Sequence, residues 1–250
     1  MVKHGINTMV KKYKRVLILG ASSDIGVETC KKFLENQWVL TAHYNTNNKA
    51  LKNLKKKFPL RLNLLKFDLK KIFSLEKYLN KNKTMFTKFD AFVNLAGYFK
   101  PTKFENFKTK DLIEHIGANS ISNLLFMKIV LKGMKKKKWG RVVNTSSIGT
   151  KFGGGNESFC YSLSKFNNEF FPSFYKNLYS SNIMINTLQI GVVKTKMHKK
   201  LPNKNMKKRI NLIPIKRIIE KSEVSNYIYF LCADENTSLT GQILNISGGE

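Results

Sequence analysis

Short apolar runs rich in branched residues alternate along this chain with longer stretches in which apolar residues recur every three or four positions. The runs predict strands buried on both faces, and the longer spacing predicts amphipathic helices. Arg15–Gly20 (RVLILG) reads as the first strand, the turn Gly20–Gly26 (GASSDIG) follows at once, and a helix over Val27–Asn36 puts Val27, Cys30, Phe33 and Leu34 on one face. Further strands are expected at Trp38–Tyr44, Arg61–Phe67, Phe89–Leu95, Gly140–Ser146, Ile183–Ile190 and Gln242–Ile246. Helices are expected at Ala50–Phe58, Ile72–Leu79, Leu112–Met134, from Glu157 through Tyr179, and at Glu223–Cys232. Val192–Asn211 reads as irregular, basic and mobile. Strands and helices joined by short links, with no repeat, linker or break in composition, predict one α/β domain over residues 1–250. It would be doubly wound, with a parallel sheet of about seven strands and helices on both faces.

Ligands in such sheets bind at the carboxyl ends of the strands, and the chemistry-bearing residues gather there. Gly20 to Gly26 lies between strand and helix, where small residues let the backbone approach a pyrophosphate and the helix N-terminus favours its charge. Asp24 is placed to cap that helix. After the second strand comes a polar turn, Asn45–Asn48, with no acidic residue between His43 and Lys52. Lacking a carboxylate to bind a ribose 2′-hydroxyl, and with Lys49 and Lys52 nearby, the site favours NADP over NAD. Asp68 and Leu69 end the third strand; Asn94, Ala96 and Gly97 end the fourth, where small residues would let a nicotinamide ribose lie flat. The fifth strand delivers Ser147, and Tyr161 and Lys165 follow on the next helix, one turn apart and on one face. An ammonium beside a phenol is expected to lower the phenol's pKa and make Tyr161 a proton donor near neutral pH. Ser147 would donate to a developing oxyanion. Asn119, amid apolar residues in the long helix, reads by itself as a buried residue satisfying local backbone groups.

Composition adds a formal net charge of +29, from 45 Lys and Arg against 16 Asp and Glu. The lysines are scattered with no nucleic-acid motif, so they read as solvated faces in a chain biased toward Lys, Asn, Ile and Phe, and no specific nucleic-acid partner is expected. Three separated cysteines, Cys30, Cys160 and Cys232, argue for reduced thiols and against a zinc site or disulfide framework, which suits the cytoplasm. Residues 1–13 form a basic extension with no apolar core, and no run is long enough to span a membrane.

The ordered set GASSDIG, Asp68, NLAG at 94–97, Asn119, Ser147, YSLSK at 161–165, IGVVKTKM at 190–197 and TGQILNISGG at 240–249 resembles the short-chain dehydrogenase/reductase family over nearly the whole chain. The general look is nearest to 3-oxoacyl-(acyl-carrier-protein) reductases. The resemblance implies that Tyr161 is the acid/base, that Lys165 tunes it and binds the nicotinamide ribose, that Ser147 holds the carbonyl and that Asn119 anchors a water chain. Gly20, Ser22, Ser23, Ile25 and Gly26 would border the diphosphate and adenosine ribose, Asp68 the adenine, Asn94, Ala96 and Gly97 the ribose, and Val193 and Thr195 the nicotinamide side. The chain departs from the family's pattern at Leu19, at Asp24 in place of a middle glycine, and at Ile190 in place of a proline. Reduction of a ketone, with a carrier-bound 3-oxoacyl thioester as a candidate substrate, is the implied reaction. A sugar, polyol or steroid-like alcohol dehydrogenase would use the same residues, and a non-catalytic dinucleotide-binding protein is the alternative of another class. Lys135–Lys138 with Arg141 have two readings, a patch that steers an acidic carrier protein and solvated lysines in a lysine-rich chain. A homodimer or homotetramer through the Tyr161 helix and its predecessor is expected, with Phe166, Phe170, Phe171, Phe174 and Tyr175 supplying apolar surface.

Overall fold

The computed structural model describes residues 13–196 and 206–250. Its elements in chain order are β1 Arg15–Leu19, α1 Asp24–Glu35, β2 Val39–Tyr44, α2 Lys49–Lys57, β3 Leu62–Lys66, α3 Ile72–Lys81, α4 Lys83–Phe86 and β4 Ala91–Asn94. There follow α5 Thr109–Ile116, α6 Ser122–Lys137, β5 Gly140–Ser147, α7 Ile148–Lys151, α8 Phe159–Phe166, α9 Lys176–Tyr179, β6 Ile183–Ile190, α10 Met206–Leu212, α11 Lys221–Cys232 and β7 Ile243–Ile246. The expected basic extension lies almost wholly outside the described residues.

All seven strands are parallel, in the order β3-β2-β1-β4-β5-β6-β7. The apolar run of β1 explains why both faces are covered. Val16 and Ile18 point to one side, into a core with Cys30, Phe33 and Leu34 of α1 and Val224, Ile228 and Leu231 of α11. Leu17 and Leu19 point to the other, into a core with Leu75 and Leu79 of α3 and Phe126, Val130 and Met134 of α6. The doubly wound sheet is thus as expected. Its direction of winding reverses between β1 and β4, which opens a crevice beyond their carboxyl ends.

Several local expectations are corrected. The helix from Glu157 does not run through Tyr179. α8 stops at Phe166, a 3₁₀ turn covers Asn167–Glu169, and Phe170 is extended (φ −77°, ψ 121°). Pro172 is the cause: it offers no N–H, its ring would clash with the carbonyl four residues back, and it pushes Phe171 out of the helical region. The long helical region expected over Leu112–Met134 is present, running from Thr109 to Lys137, with a π-turn at Gly117–Ile121 that holds Asn119. α1 starts three residues earlier than expected, and its cap is Ser23, whose side chain accepts from the Gly26 N–H at 3.0 Å, rather than Asp24. Much of the segment expected to be irregular, residues 197–205, lies outside the described residues, and its end is the helix α10.

Arg141 is not a surface residue. It is 2% exposed, stacks on Trp139 at 4.4 Å, and donates to the carbonyls of Asn182 and Asn236, both at 2.9 Å. Lys135–Lys137 end α6 beside the start of β5, whereas Ser147 is at the other end of that strand, about 23 Å away at ~3.3 Å per residue. Lys137 is held by Asp90 and the Phe89 carbonyl. The cluster therefore stands at the opposite end of the sheet from the crevice and cannot guide a carrier into it.

Candidate active site

One cavity of about 1300 Å³ opens along the carboxyl ends of the strands. Gly20, Ser22, Ser23 and Ile25 line it from the β1–α1 turn, Asn45 from the end of β2, and Asp68 and Leu69 from the end of β3. Ala96 and Gly97 line it beyond β4, Ser147, Tyr161 and Lys165 beyond β5, and Val193 and Thr195 beyond β6. Gly26, Asn94 and Asn119 stand behind its wall.

The turn after β1 is as close to β4 as backbones come. Gly20 has φ +67°, and a Cβ there would lie 2.5 Å from the Leu95 carbonyl oxygen; one on Gly26 would lie 2.5 Å from the Gly20 oxygen. A left-handed backbone and a close approach require glycine here. The imidazole of His43, at the end of β2, fixes the same turn. Its Nδ1 accepts from the Gly20 N–H at 3.2 Å and its Nε2 donates to the Phe67 carbonyl at 3.0 Å. Burial pushes this imidazole down to about 4, so it stays neutral in the tautomer those bonds require. Together with the N-terminus of α1 and the hydroxyls of Ser22 and Ser23, the turn makes a donor-rich cradle suited to a diphosphate. We expect Gly20→Ala to weaken dinucleotide binding by about 100-fold or more, since the left-handed conformation alone costs about 1–2 kcal/mol and the clash adds to it. A fluorescence titration with NADPH checks this, and unchanged affinity would show that the cradle is not used.

Asp24 carries a carboxylate into the cavity wall. Its Oδ2 accepts from the Lys196 N–H at 2.7 Å, which turns it toward the segment after β6. Asn94 acts as a strut: it is fully buried, its Oδ1 accepts from the Ala96 N–H at 3.1 Å, and its carbonyl accepts from Thr145 Oγ1 at 2.7 Å. Asn119 holds the loop after β4, with Oδ1 accepting from the Tyr98 N–H at 2.7 Å and Nδ2 donating to the Tyr98 carbonyl and to Ser164 Oγ. Its own carbonyl accepts from Asn168 Nδ2 at 3.0 Å.

Ser147 Oγ accepts from the Gly149 N–H at 3.2 Å, which leaves its proton free to donate. The Tyr161 phenol lines the same wall, and its ring packs edge-on against Phe99 at 5.3 Å. Lys165 shares a helical face with Tyr161, but its Nζ donates to the carbonyls of Ala96 (2.7 Å) and Thr145 (3.1 Å) and to Thr145 Oγ1 (3.3 Å). The expected lowering of the tyrosine pKa is therefore corrected. Burial pushes the phenol up to about 12, with the nearby Ser147 hydroxyl opposing it, and burial pulls the lysine down to about 7. The ammonium is spent on strand-end carbonyls rather than on the phenol.

The sequence reading missed several cavity residues: His43, Phe99, Phe152, Leu212 and Pro214. The glycine run 153–155 was a legible signal for the loop behind Phe152, with Gly153 and Gly154 at φ +71° and +75°. Leu212 and Pro214 reach the cavity only through tertiary folding. Among the described residues no cluster of three or more His, Cys, Asp or Glu could hold a metal ion.

Comparison with known proteins bears on what such a cavity is for. Residues 20–250 match the family model described as enoyl-(acyl carrier protein) reductase. A 3alpha-hydroxysteroid dehydrogenase of Mediterraneibacter gnavus is 30% identical over 246 residues, covering 96% of this chain and 98% of the relative. A 3-oxoacyl-[acyl-carrier-protein] reductase of Thermotoga maritima is 30% identical over 244 residues, covering 94% and 97%. Among solved structures, ElxO with NADP bound is 26% identical with a TM-score of 0.81, covering 95% of this chain and 98% of that one. This chain belongs to the short-chain dehydrogenase/reductase family, oxidoreductases acting on hydroxyl and carbonyl groups. No helix among the described residues is long and apolar enough to cross a membrane.

Proposed function

We propose that this protein reduces a ketone, a 3-oxoacyl thioester or close relative, to the secondary alcohol with NADPH. The observation that carries the reading is the placement of two hydroxyls, Ser147 and Tyr161, beside Lys165 on the wall of the same cavity whose other end is the Gly20–Ile25 cradle. A bound reduced dinucleotide supplies the hydride to the carbonyl carbon. Ser147 donates a hydrogen bond to the carbonyl oxygen, and Tyr161 gives that oxygen its proton as negative charge develops. With its pKa pushed up, the phenol is fully protonated at neutral pH and ready to donate. Lys165 holds the ends of β4 and β5 together beside it. Both amide protons of Asn119 are spent on Tyr98 and Ser164, and Oδ1 accepts once from the Tyr98 N–H, which leaves its second lone pair open to a relay water.

NADPH is favoured over NADH because the cavity wall after β2 is Asn45, Thr46 and Asn47, a stretch with no carboxylate to repel a 2′-phosphate. The similarity to reductases of acyl-carrier-protein substrates supports a thioester, free or carried. A second reading, turnover of a steroid-like secondary alcohol, is favoured by the hydroxysteroid dehydrogenase relative and by the apolar walls at Phe99, Phe152 and Leu212. Assays with NADPH and NADH against acetoacetyl thioesters, simple ketones, sugars and hydroxysteroids separate these. No turnover of any of them would leave a dinucleotide-binding protein instead.

We further propose that two copies associate through the face carrying Leu124 of α6, Leu163 and Phe166 of α8, and Phe170 and Phe174 beyond it, all exposed. Tyr175 turns inward, so the aromatic run divides between partner and core. Sedimentation is expected to give a dimer or tetramer. A monomer at tens of micromolar would remove the proposal.

A further inference from the structure

The three residues that replace the expected helical turn after α8 each reach a different part of the catalytic wall. Asn167 Nδ2 donates to Ser120 Oγ in the π-turn at 3.1 Å. Asn168 Nδ2 donates to the carbonyls of Asn119 (3.0 Å) and Thr145 (3.2 Å), and its own carbonyl accepts from Thr187 Oγ1 at 2.7 Å. Glu169 gathers the most. Its Oε1 accepts from Ser146 Oγ, from Thr150 Oγ1 at 2.6 Å and from Gln189 Nε2 at 3.0 Å. Thr150 Oγ1 also accepts from Gln189 Nε2 at 2.8 Å and contacts the Ser147 carbonyl at 2.7 Å.

Ser146 and Thr150 bracket Ser147 in sequence, and Gln189 lies two residues before Gly191, where the chain leaves β6 for Val193 and Thr195. One carboxylate oxygen therefore ties the segment that presents Ser147 to the strand end that leads to the nicotinamide side of the cavity. A carboxylate suits the place because it accepts only, and three donors converge on it.

We propose that Glu169 is a positioning residue for the reduction, setting Ser147 relative to the segment after β6. This rests on the reductase reading above. It touches neither substrate nor dinucleotide, as it does not line the cavity. Its effect is expected in the chemical step, where small misplacements of a reacting group are costly, rather than in dinucleotide affinity.

The test measures kcat and KM for an acetoacetyl thioester and the Kd for NADPH in four proteins: wild type, Glu169→Ala, Glu169→Gln and Thr150→Val. Glu169→Ala should lower kcat by about 10- to 100-fold with the NADPH Kd within about twofold. Glu169→Gln keeps an oxygen where all three donors converge and should recover at least about half of wild-type kcat. Thr150→Val, nearly isosteric and lacking the hydroxyl that donates to Glu169 and accepts from Gln189, should lower kcat by about fivefold or more. An alanine variant with wild-type kcat, a glutamine variant as slow as alanine, or a parallel loss of NADPH binding overturns the proposal. If the alanine variant does not fold, a wild-type kcat in Thr150→Val overturns it. A wild type that turns over no ketone overturns the reductase reading and this proposal together, whereas an active wild type with indifferent variants overturns this proposal alone.

Discussion

Tyr161→Phe should lower kcat for ketone reduction by about 10³-fold, within the 10²–10⁴ range of general acid catalysis, while the NADPH Kd stays within about threefold. The ring packs edge-on against Phe99, and phenylalanine keeps that contact. Only the hydroxyl is lost. On the proposed mechanism Ser147 remains to polarise the carbonyl, but the proton donor to the forming alkoxide is gone. The raised phenol pKa means that below about 12 the donor is protonated in the free protein, so activity should not fall between pH 6 and 9 through loss of this proton. Stopped-flow reduction and a fluorescence titration measure the two quantities. Turnover near wild type in the phenylalanine variant would exclude Tyr161 as the donor.

Lys165→Met should abolish most activity and also change how stability depends on pH. The ammonium is buried, 3% exposed, and finds no carboxylate within salt-bridge distance; its neighbours are three neutral oxygens. Its pKa is about 7 in the folded protein against 10.5 in the open chain. Between those values the unfolded chain binds more protons, so the contribution of Lys165 to stability rises with pH from about 7 to 10.5 and is level below 7. Subtracting the methionine variant's stability from that of the wild type cancels other titrations. The difference should climb by on the order of 1 kcal/mol per pH unit across that window. Urea denaturation at pH 6, 7, 8 and 9 reads it directly. A flat difference would mean the lysine is not desolvated.

Much of this site could be read from the chain alone because its order is local. The β1–α1 turn, the Ser147 strand and the Tyr161–Lys165 spacing are each set by a few neighbouring residues, and each reaches the cavity as expected. The errors fall where a distant partner competes. Lys165 lies on the right face, but carbonyls from β4 and β5, far away in sequence, take its protons and leave the phenol unassisted. Lys135–Lys138 and Arg141 looked like one basic patch because they are adjacent in sequence, yet Arg141 turns into the interior. Pro172 was visible, and its effect on the helix before it follows from proline's geometry.

By itself, the sequence determined the alternation of buried strands and two-sided helices, hence the doubly wound sheet and the end of it at which the cavity opens, because periodicity and glycine chemistry act over a few residues. Only the tertiary structure decided which charges are buried, which carbonyls take the Lys165 ammonium, and that Glu169 meets Ser146, Thr150 and Gln189 at one oxygen. Those outcomes depend on desolvation and on contacts between segments tens of residues apart, which no local pattern encodes.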